Sequence, residues 1–290
     1  MKMKSVTTII IYVVAVCGFI AYMYMSWVPS TSDQLRIEML DIGQGDAFHI
    51  RTPQGFDIIV DGGPDRRVLT ELGEVMPPYD HAIELVIATH PDADHIAGLT
   101  ELPDDYTIER FISSGSQKST GFSRELDTWN EQGVEVGNAV RGMRLDIEEN
   151  VWLEFLHPDP PNVHEDPNDD SVMFILHYKQ FSALFTGDAP TEIEDEIVEK
   201  YDTFGHSTLD VDLLKIGHHG SRTSTTAAFL EATTPSIALI SVGVDNKFNH
   251  PHAGPLYKLN AFGIRVFRTD ILGRIICYTD GNGIQCAPES

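Results

Sequence analysis

Between Thr89 and Leu99 the chain reads THPDADHIAGL, and four of its side chains, His90, Asp92, Asp94 and His95, fall within six residues. Imidazole nitrogens and carboxylate oxygens are donors that hold borderline divalent ions well. The apolar run before them, Leu85 to Ala88, reads as a buried strand, so one short loop at a strand end can serve two adjacent ions. A plainer reading makes this a polar loop capping the next helix, with Asp92 or Asp94 near the N-cap and the histidines solvated. Four ligand-type residues in this order weigh against it.

Two other strands end in similar residues. Phe181 to Phe185 leads into Thr186-Gly187-Asp188, and Val211 to Ile216 leads into Gly217-His218-His219-Gly220. An aspartate can bridge two cations through its two oxygens, which makes Asp188 the candidate bridge. The simplest partition gives one ion to His90 and Asp92, and the other to Asp94, His95 and one of His218 and His219. Both ions would share Asp188 and a hydroxide. Asp46 and Asp61 each read either as a group orienting a ligand histidine or as a turn residue bonding its own backbone.

Convergence of strand ends asks for a layered fold. Leu35 to Ile42, Ala47 to Arg51 and Phe56 to Val60 are predicted strands, as are Trp152 to Leu156, Val172 to Tyr178 and Ile237 to Val242. Ile264 to Phe267, Arg274 to Tyr278 and Ile284 to Ala287 complete the set. Helical spacing covers Ala93 to Leu102, Phe122 to Gln132, Pro190 to Tyr201, a segment through Phe229, and Leu256 to Phe262. Strands in runs with helices interspersed suit an α+β fold of two face-to-face sheets with helices outside.

The first thirty residues are unlike the rest. Val6 to Val28 carries no charge over 23 residues, enough to cross a bilayer as one helix. Lys2 and Lys4 precede it and no Lys or Arg follows before Arg36, which predicts a cytoplasmic N-terminus and an exported remainder. Residues 1–30 are therefore read as a single-pass membrane anchor, and 31–290 as one domain, periplasmic or extracellular. A cleaved signal peptide or a lipid-modified Cys17 fits the length and flanks less well. The whole chain carries 20 Lys and Arg against 44 Asp and Glu, a net charge of −24, which argues against tight binding of duplex DNA. Cys277 and Cys286 flank the hairpin signal Thr279 to Gly283. They face one another if Gly281-Asn282 is the turn centre and miss if Asn282-Gly283 is; a disulfide would suit an oxidising compartment.

Taken together, THPDADHIAGL, the upstream DIGQGDAF and IVDGG, and the downstream FTGD, LLKIGHHGS and NKFNHP resemble the metallo-β-lactamase superfamily. They resemble most the branch found as the C-terminal domain of ComEC-type DNA-uptake proteins. The resemblance implies an αββα sandwich with a two-metal site at one edge, and hydrolysis by a metal-bound hydroxide. It implies that Asp94, His95, Asp188 and a histidine of the HHGS segment hold one ion, and His90, Asp92 and Asp188 the other. Of the pair, His219 is the expected ligand, with His218 turned toward substrate. His250 is expected near the site as a substrate contact or proton donor, with Asp94 and His218 in the catalytic set. The sequence departs from the pattern in having Asp92 at a frequent histidine position, and Ala97 where glycine is usual. In place of a further histidine before Asp188 stands Asn168-Asp169-Asp170-Ser171; His157 and His164 nearby are weak ligand candidates.

No Gly-x-Ser-x-Gly elbow or kinase-type phosphate loop is present, so no protein nucleophile is expected. Two Zn²⁺ or Mn²⁺ ions supply the chemistry instead. The expected activity is that of a phosphodiesterase, with single-stranded DNA or a small ester as substrate. The rival from another class is a noncatalytic metal-holding accessory module of DNA uptake or envelope assembly; a hydrolase of carboxylic esters or lactones is the nearer alternative.

Overall fold

The computed structural model describes residues 33–116, 120–159, 164–203 and 206–289, with positions 12, 14–16 and 18. The chain divides into two compact units, Met1–Asp33 and Gln34–Ser290. The expected membrane span, Val6 to Val28, lies outside the described residues save for those five positions, and Cys17 lies outside them entirely. Among the described residues no helix is long and apolar enough to cross a membrane.

The larger unit is built on two sheets. In chain order its strands begin with β1 (Leu35–Met39), β2 (Phe48–Arg51), β3 (Asp57–Val60), β4 (Ala82–Ala88), β5 (Thr107–Ser113) and β6 (Glu135–Asn138). Then come β7 (Arg144–Glu148), β8 (Val151–His157), β9 (Met173–Tyr178), β10 (Phe181–Phe185) and a small hairpin of β11 (Asp202–Thr203) and β12 (His206–Ser207). Last are β13 (Leu213–Lys215), β14 (Ile237–Ile240), β15 (Arg265–Arg268), β16 (Ile275–Thr279) and β17 (Ile284–Pro288). One sheet runs β17-β16-β1-β2-β3-β4-β5-β6, the other β15-β14-β13-β10-β9-β8-β7.

Side-chain alternation along the strands explains the layering. Ile37, Phe48, Ile50, Leu85 and Ile87 of the first sheet meet Leu153, Phe155, Phe174, Leu176 and Phe185 of the second in a central core. The opposite face of the first sheet packs on α1 (Arg67–Val75), on the turns after α2 (Ala93–Ile96) and on α3 (Thr120–Glu131), through Val68, Leu72, Leu99 and Trp129. The opposite face of the second packs on α4 (Thr191–Tyr201), α5 (Ala227–Thr233) and α6 (Ala253–Ala261), through Ile193, Ile197, Phe229 and Leu259. This is the expected helix–sheet–sheet–helix sandwich.

Some details depart from the sequence reading. The helix from Ala93 to Leu102 stops at Ile96 and continues as a 3-10 turn, Gly98–Asp104. Pro103 cannot donate to an α-helical ladder, and Gly98 is pressed against Gly62, whose carbonyl oxygen would lie 1.9 Å from an added Cβ. Ala97 is ordinary right-handed helix, φ −63°, so glycine is not needed there. At the C-terminus Thr279 pairs with Ile284 and Cys277 with Cys286, as expected for a turn centred on Gly281-Asn282. The two cysteines form a disulfide across a Cα separation of 4.0 Å.

Candidate metal centre

Parallel pairing brings the chemistry to one edge. Strands β3 and β4 run parallel, with Val60 beside Ile87, and β10 runs parallel to β13 in the other sheet. Their C-terminal ends carry Asp61, the His90 loop, Asp188 and the Gly217–Gly220 turn; the β1–β2 turn adds Asp46. Glycine lets these loops approach. Gly45 has φ +127°, and a Cβ there would stand 2.0 Å from the Asp94 carbonyl oxygen. The backbone N–H of Gly62 donates to the His95 carbonyl at 2.7 Å, and that of Gly63 to Asp46 at 2.8 Å.

Three buried histidines at this edge, His90, His95 and His219, are each fixed through Nδ1. His95 Nδ1 donates to Asp61 Oδ2 at 2.8 Å, and His219 Nδ1 to the Ser241 carbonyl at 2.9 Å. The Thr89 hydroxyl spends its one proton on Asp61 Oδ2 at 2.7 Å, so it accepts from His90 Nδ1 at 3.0 Å. In all three rings the proton is thereby on Nδ1 and a lone pair is on Nε2. All three Nε2 atoms are buried and without a hydrogen-bond partner among the described residues. The Asp188 carboxylate lies between two of them, its Oδ2 3.4 Å from His95 Nε2 and 3.3 Å from His219 Nε2. Asp94 Oδ2 is 3.6 Å from His219 Nε2. Ligand atoms of Asp46, His95, Asp188 and His219 all lie within 4.8 Å of one another. Buried lone pairs beside carboxylates are costly unless a cation satisfies them, so these residues fit a divalent ion.

The electrostatics agree. Burial pulls the His95 imidazole down, yet the carboxylates of Asp188 and Asp61 outweigh it and raise it well above its usual range. His219 behaves likewise beneath Asp188 and Asp46. Burial drives the Asp188 carboxyl up, but His219, His95 and Lys215 hold it well below the ordinary carboxylate range. Such a field favours positive charge at Nε2 of His95 and His219, whether a proton or a metal ion carries it, while burial and the charge of His95 pull the His90 imidazole well below its usual range.

The sequence pattern of the metallo-beta-lactamase superfamily matches residues 40–244. The chain belongs to that superfamily. It is 30% identical over 275 residues to ComE operon protein 3 of Bacillus subtilis (strain 168), a match covering 89% of this chain and 34% of the relative. It is 27% identical over 250 residues to Recombination protein 2 of Haemophilus influenzae, covering 83% of this chain and 28% of that protein. The resemblance to the ComEC-type branch is borne out, and the chain spans about a third of the length of the curated relatives it matches. Among solved structures, Zn(2+)-bound PqqB from Methylobacterium extorquens shares the fold at TM-score 0.52 and 10% identity, covering 81% of this chain and 97% of that one. CmlA, a diiron β-hydroxylase from Streptomyces venezuelae, does so at TM-score 0.53 and 16% identity, covering 81% and 52%.

Around this superfamily centre the other expected residues take distinct places. Asp92 precedes α2 in extended conformation, its Oδ2 4.0 Å from His90 Nε2. His218 is half-buried, with Nε2 3.9 Å from Asp188 Oδ2. His218 and His219 both adopt positive φ, 49° and 51°, a conformation that few non-glycine residues take. The His250 ring lies 5.6 Å from that of His218 and 6.3 Å from that of His219. Burial, with the charges of His219 and His218, pushes its imidazole down to about 4. His157 contacts the Ser171 carbonyl through Nδ1 at 3.3 Å, and His164 pairs with Asp170 at 2.8 Å. Ser171 is instead a support for Asp188, whose backbone N–H donates to its hydroxyl at 3.1 Å. A cavity of about 210 Å³ opens beside His90, lined by Ser113, Ser114, Phe122, Leu126 and Asn138.

Sequence reasoning gave Lys215 no role. It is fully buried, ion-paired with Asp46, and donates to the Gly187 carbonyl at 2.6 Å with Asp188 Oδ1 3.4 Å away. Asp46 and Asp188 outweigh burial and keep it charged. The available signal was a lysine inside the apolar run VDLLKIG, directly before the histidine pair.

Proposed function

We propose that this chain is a membrane-anchored, metal-dependent phosphodiesterase that works outside the cytoplasm, with single-stranded DNA among its substrates. The observation that carries the reading is the set of three buried, unpartnered Nε2 atoms, two of which, those of His95 and His219, converge on Asp188. His95, His219, Asp94 and Asp188 would hold one ion, and His90, Asp92 and Asp188 the other; Asp46 faces Nδ1 of His95 at 3.8 Å and of His219 at 3.3 Å, behind the rings rather than among the ligands. Zn²⁺ and Mn²⁺ both suit this mixed imidazole and carboxylate set. When bound, the ions lower the pKa of water and offset the charge of a phosphodiester.

The protein's own residues do the positioning. Asp61 and Ser241 hold the rings of His95 and His219 by Nδ1, and Thr89 holds His90. Lys215 sits against Asp188 Oδ1, leaving Oδ2 turned to the histidines. His218 and His250 stand at the open side, where a neutral imidazole N–H can donate a hydrogen bond to the substrate. Names of the relatives favour nucleic acid over lactam as substrate, since Competence protein ComA of Neisseria gonorrhoeae and Recombination protein 2 are named for competence and recombination.

All three hydrophobic cores lie within residues 34–290, so that unit can be tested by itself. It is expected to bind about two equivalents of Zn²⁺ or Mn²⁺ and to cleave bis(p-nitrophenyl) phosphate and short single-stranded DNA. Asp94→Ala should abolish turnover and lower the metal content. Full activity in that variant would overturn the site, and bound metal with no turnover on any ester would favour the accessory-module reading.

A further inference from the structure

Phe248 is an exposed aromatic ring that the fold holds in place at the rim of the metal centre. Its side chain is 46% exposed, yet its loop is pinned by one residue, Asn246. Asn246 Oδ1 accepts from the backbone N–H of Phe248 at 3.2 Å and of His250 at 2.9 Å. Its Nδ2 donates to the carbonyls of Gly243 at 3.0 Å and His250 at 2.7 Å. Asp245 and Asn249, on either side, adopt φ of 53° and 58°, so the loop is specified at some cost in backbone strain. Held this way, the Phe248 ring stacks on His250 at 5.6 Å with an interplanar angle of 23°. His250 is the next ring out from His218 and His219, so Phe248 lies one ring beyond the site.

Charge at this rim runs against the molecule as a whole. On a chain of net charge −24, Lys247 places its ammonium 4.9 Å from the Phe248 ring centre. Exposed Arg222 follows the histidine turn, its backbone N–H donating to His252 Nδ1 at 3.2 Å. Asp245 is the one acidic residue of the 244–250 loop. An exposed aromatic ring with a lysine ammonium over it carries the two elements that hold single-stranded nucleic acid, where bases stack and phosphates meet ammonium groups; a base would take the ring face from the flexible Lys247, whose ammonium would turn to the phosphate. A duplex cannot use the ring face, because its base faces are already stacked on one another.

We propose that Phe248, with Lys247 beside it, is a stacking seat for one nucleobase of a single strand whose neighbouring phosphodiester lies at the metal centre. This deepens the phosphodiesterase reading and rests on it for the place of the scissile bond. The test measures binding by the metal-loaded full chain rather than turnover. The probes are a fluorescent phosphorothioate oligothymidylate, which resists cleavage, and the same strand with abasic sites in place of its bases. The wild type should prefer the base-bearing strand about tenfold. Phe248→Ala should erase that preference and Phe248→Trp keep it, while Lys247→Gln should weaken both strands alike. Absence of binding, equal affinity of the wild type for the two strands, or a preference that survives Phe248→Ala would each overturn the seat. Failure to hydrolyse a phosphodiester would instead strike the functional reading and leave these affinities unaffected.

Discussion

Two clusters of buried histidine and carboxylate lie in this domain, and they use their rings in opposite ways. On the first sheet, facing away from the central core, Glu38, His49 and Asp57 stand on adjacent strands β1, β2 and β3. His49 Nδ1 meets Glu38 Oε2 at 2.5 Å and its Nε2 meets Asp57 Oδ1 at 2.7 Å, so both nitrogens are satisfied within the protein. At the sheet edge, His90, His95 and His219 each have Nδ1 occupied and Nε2 without a hydrogen-bond partner. Both clusters are buried and rich in carboxylate, so burial and composition do not separate them. The count of partners on each ring nitrogen does: His49, bonded at both ends, is a strut, and the three rings held at Nδ1 and open at Nε2 are placed to be ligands.

The largest expected effects come from exchanging the same lesion between the clusters. His95→Ala should lose metal and reduce phosphodiester turnover to background, measured by metal analysis and steady-state kinetics. His49→Ala leaves two buried carboxylates without their shared partner and should cost about 3–5 kcal/mol of folding stability, read by urea denaturation. Its metal stoichiometry should stay that of the wild type. Metal loss in His49→Ala, with the fold intact, would break the distinction.

The sequence made one of these clusters legible and hid the other, for a physical reason. His90, Asp92, Asp94 and His95 are close in the chain because a single loop supplies them, and Asp188 and His219 were readable as polar residues closing apolar strands. The Glu38–His49–Asp57 strut is assembled only by strand register, with one member per strand, and each alone reads as an ordinary polar strand residue. Lys215 escaped notice likewise, since its partners Asp46 and Asp188 come from two distant turns. Strands β6 and β7 were missed because their residues are half-buried or exposed and show little apolar alternation. Helix α1 and β5 went unread although both carry buried apolar residues, Val68 and Leu72 in one and Phe111 and Ile112 in the other.

A smaller effect sharpens what holds a ligand histidine. Thr89→Val keeps the shape of the side chain but removes the hydroxyl that fixes the His90 tautomer and bonds Asp61. Metal affinity should fall about 10–100-fold, measured by chelator competition, with the ligand set itself intact. An unchanged affinity would mean that burial alone orients His90.

The smallest effect tests the strut by its charge. Burial lowers the His49 imidazole, but the hydrogen bonds and charges of Asp57 and Glu38 outweigh it, so its pKa in the folded protein is raised. Arg36 and Arg51 also face the cluster, paired with Glu38 and Asp57, and Asp80 and Glu84 flank it. A histidine whose pKa rises on folding contributes stability that is fully present below its unfolded value of about 6.5 and is lost as pH climbs through the folded value. The stability difference between wild type and His49→Gln should therefore shrink as pH rises above about 6.5, measured by urea unfolding at a series of pH values. The metal centre titrates in both proteins and cancels in the difference, because the two clusters share no residue. A difference that grew as pH rose through about 6.5 would show His49 to be neutral in the folded state, and the strut to hold by hydrogen bonds rather than by an ion pair.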